Sequence, residues 1–268
     1  MIQPMGGNNA AAQSGALAAL RGSESALALF ECQADSAVLL YELCQFFVCQ
    51  RPLGAILMPS MSEVPGIAEL CTEMDIALVR LSPVQVDGKA AALTSHDRQA
   101  AADATRYLIA LGHQRIGFVA GPEACPSSRE CELGFIDALA DHALDRGAEL
   151  VAASDGSCAS GEAAARLLLE VSPRPTAIFA ANDALALGAL KAAQVLGIAV
   201  PGALSIVGFG ETINPEHMAL PLTTVRQPLS EMAFAAASLL IAPQCSPPPQ
   251  NAFFGTLVPR ATTGPVAI

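Results

Sequence analysis

The sequence predicts an α/β protein with two lobes, each built around a parallel β-sheet that helices cover on both faces. Short apolar β-type runs alternate with helical runs along most of the chain. The strand-like runs are apolar throughout, which is typical of parallel strands buried between two helical layers. The chain has 268 residues, which is long enough for two lobes of about 130 residues each.

The chain up to about residue 95 contains two strand–helix units and part of a third. The predicted elements are, in order, a helix over 9–22, a strand over 25–32, a helix over 37–50, a strand over 53–59, a helix over 63–74 and a strand over 75–82. No strand-like run precedes the first helix. The sequence therefore predicts a lobe whose first strand is missing, in a chain truncated at its N-terminus.

The chain from about residue 96 to 222 contains four further strand–helix repeats. The predicted elements are a helix over 97–112, a strand over 115–122, a helix over 129–144, a strand over 148–154, a helix over 160–171, a strand over 175–182, a helix over 183–197 and a strand over 204–209. A last long helix is predicted over 229–242. It is followed by a polar, proline-rich loop over 243–250 and a strand-like run over 252–259.

The charge balance argues against direct binding of nucleic acid by this chain. Its formal net charge is −11, with 14 Lys and Arg against 25 Asp and Glu. A basic stripe is the usual footprint of nucleic-acid binding, and the sequence contains none. This chain alone is expected to be repelled by DNA phosphates, so any DNA contact would need a separate basic module.

Membrane insertion, export, metal binding and catalysis are not predicted either. No apolar run reaches the roughly 18 residues of a membrane span, and no Lys or Arg precedes Arg21, so a signal peptide's charged start is missing. The eight cysteines form no C-x-x-C pair and the four histidines no H-x-x-x-H pair. With no nucleophile elbow or phosphate-binding glycine loop, we expect a cytoplasmic protein with no cofactor that is not an enzyme.

Five motifs in the second half are similar to those of one family, in the same order and spacing. They are "YLIALGHQRIGFVAGP" (107–122), "SSRECELGFIDAL" (127–139), "AIFAANDALALGALKAAQVLGIAVPGALSIVGF" (177–209), "LPLTTVRQP" (220–228) and "LVPRATTG" (257–264). The chain resembles the effector-binding core of the lactose-repressor (LacI/GalR) transcription regulators. The resemblance extends over 95–268 and is looser before residue 95.

The resemblance implies a periplasmic-binding-protein-like fold of type I, with two Rossmann-like lobes joined by crossover strands near residues 95, 224 and 254. The N-terminal lobe is expected to take 1–94 and 225–253, and the C-terminal lobe 95–224 and 254–268. A homodimer is implied, with Leu187, Met218 and Ala219 at positions of the family's dimer surface. Leu187 as an ordinary core residue is the alternative. A small-molecule effector is the other implied partner, while operator DNA would be bound only through a helix-turn-helix that this chain lacks.

The first candidate ligand residue is Asn182, which follows a strand and precedes a helix in "AAND". In open α/β sheets, ligands bind at the carboxyl ends of the strands. The amide of Asn182 offers both donors and an acceptor to a polyol or a nucleobase. Its neighbour Asp183 is interpreted as the N-cap of the following helix.

Other positions that match ligand contacts of the family have changed residues. The family's arginine before the Gly-aromatic pair corresponds to Cys131, with Arg129 two residues earlier. The acid that follows "VG-aromatic" corresponds to Gly210, with Glu211 next. The aspartate before the first crossover corresponds to Arg80.

Losing two charged hydrogen bonds to a ligand would cost roughly 3–6 kcal/mol, or about two to four orders of magnitude in affinity. An ordinary hexose or purine is therefore not expected to bind well. The alternative is that Arg80, Arg129 and Glu211 form a new charged site for a different, acidic molecule. A solute-binding protein of an ABC transporter shares this fold and is the alternative function, but it would need an export signal.

Overall fold

The computed structural model describes residues 1–4, 9–32, 38–84, 88, 90–123, 125–212, 218–241 and 253–266. These residues form two parallel-dominated sheets with associated helices, which confirms the predicted α/β fold class. The chain divides into two compact units, unit 1 with Met1–His96 and Pro228–Phe253, and unit 2 with Asp97–Gln227 and Phe254–Ile268. The predicted loop over 243–250, Cys245 and His217 lie outside the described residues.

Unit 1 has a five-stranded parallel sheet in the order β2-β1-β3-β4-β5. Its strands are β1 (Ile2–Pro4), β2 (Phe30–Cys32), β3 (Gly54–Leu57), β4 (Ala77–Leu81) and β5 (Ala91–Leu93), and its helices are α1 (Ala10–Ala19), α2 (Leu39–Gln50), α3 (Ile67–Glu73) and α8 (Leu229–Ile241). A single 3-10 turn, Pro59–Met61, follows β3.

The expectation that unit 1 lacks its first strand is wrong. Ile2–Pro4 form β1 in the interior of the sheet, where they pair with β2 over three residues. The signal for this strand is weak because it is only three residues long and contains a proline, which is uncommon in an interior strand. Strand β5 was also not predicted, since its three residues, Ala-Ala-Leu, suit a helix better than a strand.

The sheet of unit 1 separates two apolar layers. One layer packs α1 and α8 on the sheet and includes Ala16, Ile56 and Met232. The other packs α2 and α3 and includes Phe47 and Ile67. Each strand thus supplies side chains alternately to the two layers, as the period of a β-strand requires.

Unit 2 has a six-stranded sheet in the order β11-β10-β9-β8-β6-β7, in which only the β10–β11 pair is antiparallel. Its strands are β6 (Ile116–Val119), β7 (Val151–Ala152), β8 (Ala177–Ala180), β9 (Ser205–Phe209), β10 (Thr223–Arg226) and β11 (Thr256–Val258), and its helices are α4 (Asp97–Ala110), α5 (Pro126–Asp141), α6 (Cys158–Glu170) and α7 (Asp183–Val195). Its core contains a cluster of three rings, Phe118, Phe135 and Phe179. Every residue of β6, β8 and β9 is buried, which agrees with the uniformly apolar character of these runs.

Candidate functional site

The carboxyl edge of the unit 2 sheet holds most of the predicted site residues. Strands β6, β8 and β9 run in parallel, so their carboxyl ends lie on one edge. Asn182 follows β8, and Gly210 and Glu211 follow β9. In open α/β sheets this edge is the usual place for a ligand.

Asn182, and not Asp183, is the N-cap of α7. The side-chain oxygen of Asn182 accepts a hydrogen bond from the backbone N–H of Leu185 at 2.8 Å. Its amide nitrogen donates to the carbonyl of Gly156 at 3.1 Å. Both ends of the side chain are therefore engaged within unit 2, and the interpretation of Asp183 as a simple cap is wrong.

Asp183 is a buried carboxylate that connects three segments of unit 2. One oxygen accepts from the backbone N–H of Thr212 at 2.6 Å. The other accepts from the hydroxyl of Thr224 on β10 at 2.5 Å. Burial raises the pKa of Asp183, while the hydrogen bonds from Thr224 and Thr212 oppose that rise. Asp183 thus fixes the turn that follows β9 relative to α7 and β10.

That turn has an unusual backbone. Gly210 has φ +115° and Glu211 has φ +50°. The conformation of Gly210 is one that residues with a Cβ rarely adopt, so a glycine is required here by the backbone. Residue 210, where the resemblance implied an acid, therefore has a backbone geometry that disfavours any side chain.

Glu211 is held between two arginines. Arg226 on β10 donates through both Nε and Nη2, the latter at 2.9 Å. Arg260 donates to the same carboxylate and also to the carbonyl of Leu222 at 2.9 Å. The hydrogen bond from Arg226, with a further one from Arg260, lowers the pKa of Glu211. The carboxylate is thus an ion-pair partner inside unit 2.

The two positions on α5 have different surroundings. Cys131 is 1% exposed and belongs to the apolar core, and its burial raises the pKa of its thiol. The side chain of Arg129 is 59% exposed and pairs with Glu132 at 3.0 Å. Glu132 also pairs with Arg146 at 2.5 Å. Arg129 and Glu211 therefore have separate ion-pair partners.

The longer of the two chain segments in unit 2 runs from Asp97 to Gln227, and its first and last residues are hydrogen-bonded to each other. Asp97, at the start of α4, is buried, and both its oxygens accept from the amide of Gln227 at 3.0 Å. Asp97 and Gln227 are the first and last residues of that segment. This pair fixes the two ends of the segment to each other.

Arg80 belongs to unit 1, where it is a β4 residue only 4% exposed. Its backbone pairs in register with Leu57 of β3 and Ala92 of β5. A buried arginine is uncommon, and Arg80 stands out for this reason from its apolar neighbours in the strand.

The predicted dimer residues are not part of the tightly packed interior. Leu187 on α7 and Met218 are half-buried, and Ala219 is exposed. Met218 packs against the core cluster of unit 2, while Leu187 does not belong to it.

Three contacts within unit 2 were not predicted from the sequence: those of the two arginines with Glu211 and that of Asp97 with Gln227. Arg226 and Arg260 are each the one charged residue in their motifs, "LPLTTVRQP" and "LVPRATTG". A lone arginine in an apolar motif was the signal that could have identified them. Over the described residues, no group of three potential metal ligands is found. In the same part of the chain, no helix is long and apolar enough to cross a membrane.

The chain forms two α/β units that it connects three times, each around a sheet of mainly parallel strands, and this is the architecture of periplasmic-binding-protein-like domains. Residues 105–263 match the model of the periplasmic binding protein-like domain, and the chain belongs to this family. Within it, the chain is an effector-binding core of the LacI/GalR type, as its five motifs predicted.

Known relatives are transcriptional regulators. An uncharacterised helix-turn-helix regulator of Streptomyces limosus is 38% identical over 173 residues, which is 63% of this chain and 49% of the relative. The transcriptional regulator CelR in complex with cellobiose is 25% identical, with a TM-score of 0.85, over 97% of this chain and 83% of that one. A LacI family regulator from Mycobacterium smegmatis is 25% identical, with a TM-score of 0.82, over 100% of both chains. The chain spans about half the length of the curated relatives it matches.

Proposed function

We propose that this chain is the effector-sensing and dimerisation part of a transcriptional regulator. The observation that carries the proposal is the family match over residues 105–263, together with relatives that are named as transcriptional regulators. The Streptomyces relative and the two solved structures named above all have names that describe transcriptional regulators. The solute-binding alternative therefore has less support.

A reporter assay tests this function directly. The helix-turn-helix headpiece of a LacI-type repressor is joined before Met1, and a reporter gene is placed behind that headpiece's operator. Because such headpieces bind palindromic operators as dimers, the chimera is expected to repress the reporter. The headpiece alone, expressed to the same level, is the control. A folded, expressed chimera that represses no better than the headpiece alone would contradict the proposal.

Operator binding is assigned, in this proposal, to a separate basic module and not to the two units described above. A net charge of −11 disfavours binding of phosphates by the chain itself. The chain alone is therefore expected to leave the mobility of duplex DNA unchanged in a gel-shift assay. Since operators lie on the chromosome, the proposed location is the cytoplasm.

The proposed effector site is the carboxyl edge of the unit 2 sheet. Asn182, Gly210, Glu211, Cys131 and Arg129 lie on or near the segments that leave this edge. Arg80, which belongs to unit 1, is proposed separately as an effector contact, because its position matches a ligand position of the family. Most of these side chains already have partners in the protein, or are buried, so few polar groups remain to bind sugar hydroxyls.

The proposed effector is accordingly not a common hexose or purine. The carboxylate of Glu211 is held by two arginines, Cys131 carries no guanidinium, and Gly210 has no side chain. Titration calorimetry with hexoses, purines and cellobiose, each at millimolar concentration, is expected to give no heat of binding. Tight binding of any ordinary hexose would show that the edge recognises sugars with other groups.

The proposed assembly is a homodimer through Leu187, Met218 and Ala219. A half-buried leucine on α7 that lies outside the core cluster suits a symmetric apolar patch. Leu187→Glu is expected to give a monomer by light scattering where the unchanged chain gives a dimer. Leu167→Glu, at a leucine that is 63% exposed on α6, is the matched control and should leave the dimer intact. Equal effects of the two substitutions would exclude this surface.

A further inference from the structure

Strand β9 contains a glycine whose missing side chain makes room for a carboxylate. Gly208 lies in the buried run Ser205–Phe209, although glycine weakens the interior of a strand. A Cβ on Gly208 would lie 2.5 Å from Oδ1 of Asp183. The carboxylate of Asp183 therefore occupies the space over the strand that a side chain would otherwise fill.

The carboxylate in this space is buried and accepts three hydrogen bonds. Asp183 is 1% exposed. Its Oδ2 accepts from the N–H of Thr212 at 2.6 Å and from the hydroxyl of Thr212 at 3.3 Å, and its Oδ1 accepts from the hydroxyl of Thr224 at 2.5 Å. Burial nevertheless has the largest influence on the pKa of Asp183 and raises it. The folded chain thus disfavours the ionised form more than the unfolded chain does.

The charged groups around Asp183 do not remove this cost. Glu211 repels the carboxylate and also raises its pKa. Arg226 on β10 and Arg260 after β11 both donate to Glu211, so their charges are shared with that group. On the side of β9 the neighbour is Gly208, which has no side chain. The chain therefore holds a buried negative charge at a cost to its global stability.

The N–H that this charge binds belongs to a strained turn. Residues 210–212 follow β9 directly and form the β9 turn. Within it, Gly210 has φ +115° and Glu211 has φ +50°. Such backbone persists only where its surroundings hold it, and an ionised acceptor makes a hydrogen bond roughly twice as strong as a neutral one. The charge of Asp183 is thus costly to the fold as a whole and favourable to the β9 turn.

We propose that Asp183 is a proton-operated latch on the β9 turn. The ionised carboxylate binds the N–H of Thr212 and keeps the turn closed. When a proton from solvent binds the carboxylate, this hydrogen bond weakens and the open turn becomes more populated. The β9 turn carries Gly210 and Glu211, so the latch would also control the shape of the effector edge; that consequence rests on the proposed function.

The variant Asp183→Asn keeps the shape of the side chain and removes its charge. Its amide oxygen can still accept from Thr212, and its amide nitrogen can donate to the hydroxyl of Thr224. At pH 7.5, the protection factor of the Thr212 amide in NMR hydrogen exchange should fall about tenfold. The free energy of unfolding in urea should stay the same or rise, because the buried charge is gone. A residue with only a structural role would lose protection and global stability together.

Asp155→Asn is the matched control. Asp155 is exposed, and its carboxylate also accepts a backbone N–H, that of Ser157 at 2.8 Å. The hydrogen bonds from Ser160 and Ser157 lower its pKa to about 2, in contrast to the raised pKa of Asp183. This variant should leave the protection factor of Thr212 unchanged.

A pH series tests the role of the proton. As the pH falls from 7.5, the protection factor of Thr212, corrected for the intrinsic exchange rate, should drop in a step above the usual Asp pKa of 3.8. The step should be absent in Asp183→Asn. Thr224→Val removes a donor that favours the ionised form, so it should move the step to a higher pH. Thr223→Val is its control, because that hydroxyl bonds to Thr263 at 2.9 Å, and it should leave the step in place.

The Thr224→Val series keeps the proposal testable if Asp183→Asn fails to fold. Equal protection of Thr212 in Asp183→Asn and the unchanged chain, a step that persists in Asp183→Asn, or an unmoved step in Thr224→Val would each overturn the proposal. A loss of protection shared equally by all amides of unit 2 would also overturn it. These measurements use neither an effector nor DNA, so their failure would leave the proposed function standing.

Discussion

His113 should make the stability of unit 2 depend on pH, because its ring is buried as a neutral group. It is 2% exposed. Its Nδ1 lies 2.9 Å from the hydroxyl of Thr176, and its Nε2 lies 3.0 Å from the hydroxyl of Ser205 and 3.1 Å from the carbonyl of Gly264. A carbonyl accepts only, so Nε2 carries the proton and Nδ1 accepts from Thr176. The ring thereby connects the starts of two strands to the C-terminal segment.

Burial lowers the pKa of His113 below its usual 6.5, although the hydrogen bond to Gly264 opposes this. The unfolded chain then takes up a proton at a higher pH than the folded chain. Above about pH 6.5 both states are neutral at this residue, and its contribution to stability is complete. As the pH falls through 6.5, the free energy of unfolding decreases by up to about 1.4 kcal/mol per pH unit, until the folded pKa is reached.

The substitution His113→Ala should cost about 3 kcal/mol at pH 7.5, since it leaves a cavity and removes a partner from buried polar groups. For a unit of this size that corresponds to a melting temperature lower by about 6–12 °C. The variant should also lose the part of the pH dependence below pH 6.5 that His113 gives the unchanged chain. Chemical denaturation at several pH values measures both effects.

His142→Ala is the control for this experiment. His142 lies at the end of α5, where its Nδ1 donates to the carbonyl of Ala138 at 2.9 Å. This substitution should change the stability little and should keep the pH dependence that His113 causes. If the free energy of unfolding falls equally steeply below pH 6.5 in His113→Ala and in the unchanged chain, the reasoning is refuted.

Three further predictions concern substitutions in unit 2. In urea denaturation, Arg260→Ala should lower the free energy of unfolding by about 1.5–3 kcal/mol. Arg226→Ala should lower it by about 1 kcal/mol or less, because the side chain of Arg226 is 56% exposed. Equal losses of stability in the two variants would contradict this prediction. Gly208→Ala should destabilise strongly, because its Cβ would lie 2.5 Å from a buried carboxylate oxygen, while Gly202→Ala, with its nearest neighbour at 3.6 Å, should be nearly neutral. Gly210→Asp should lower stability by about 1–3 kcal/mol because φ is +115°, and it should give no hexose binding in calorimetry.

The sequence predicted most of the fold because its strands are apolar runs bounded by glycine and proline. The buried strands β6, β8 and β9 and helix α7 were all predicted to within a few residues. Strand β1 was missed since three residues carry too little pattern. Helix α5 begins at Pro126, three residues before its predicted start, because proline is favoured at the first position of a helix.

The site was harder to predict because its contacts join residues far apart in the chain. The pattern "AAND" correctly marked a helix start, but not which of the two polar residues caps it. Asn182 caps because its side chain reaches the N–H three residues on. The carboxylate of Asp183 instead accepts hydrogen bonds from Thr212 and Thr224, which lie 29 and 41 residues later in the chain. Local rules cannot anticipate such partners.

The same contacts explain why the acid after β9 is Glu211 and not residue 210. The turn is fixed by Asp183 through Thr212, and its backbone requires a positive φ at Gly210. A carboxylate one position later, in contrast, can reach both Arg226 and Arg260. Those arginines belong to β10 and to the segment after β11, and β10 and β11 pair with each other. The charge at this edge therefore stabilises the junction of three segments, and an effector that used Glu211 would have to compete with two guanidinium groups for it.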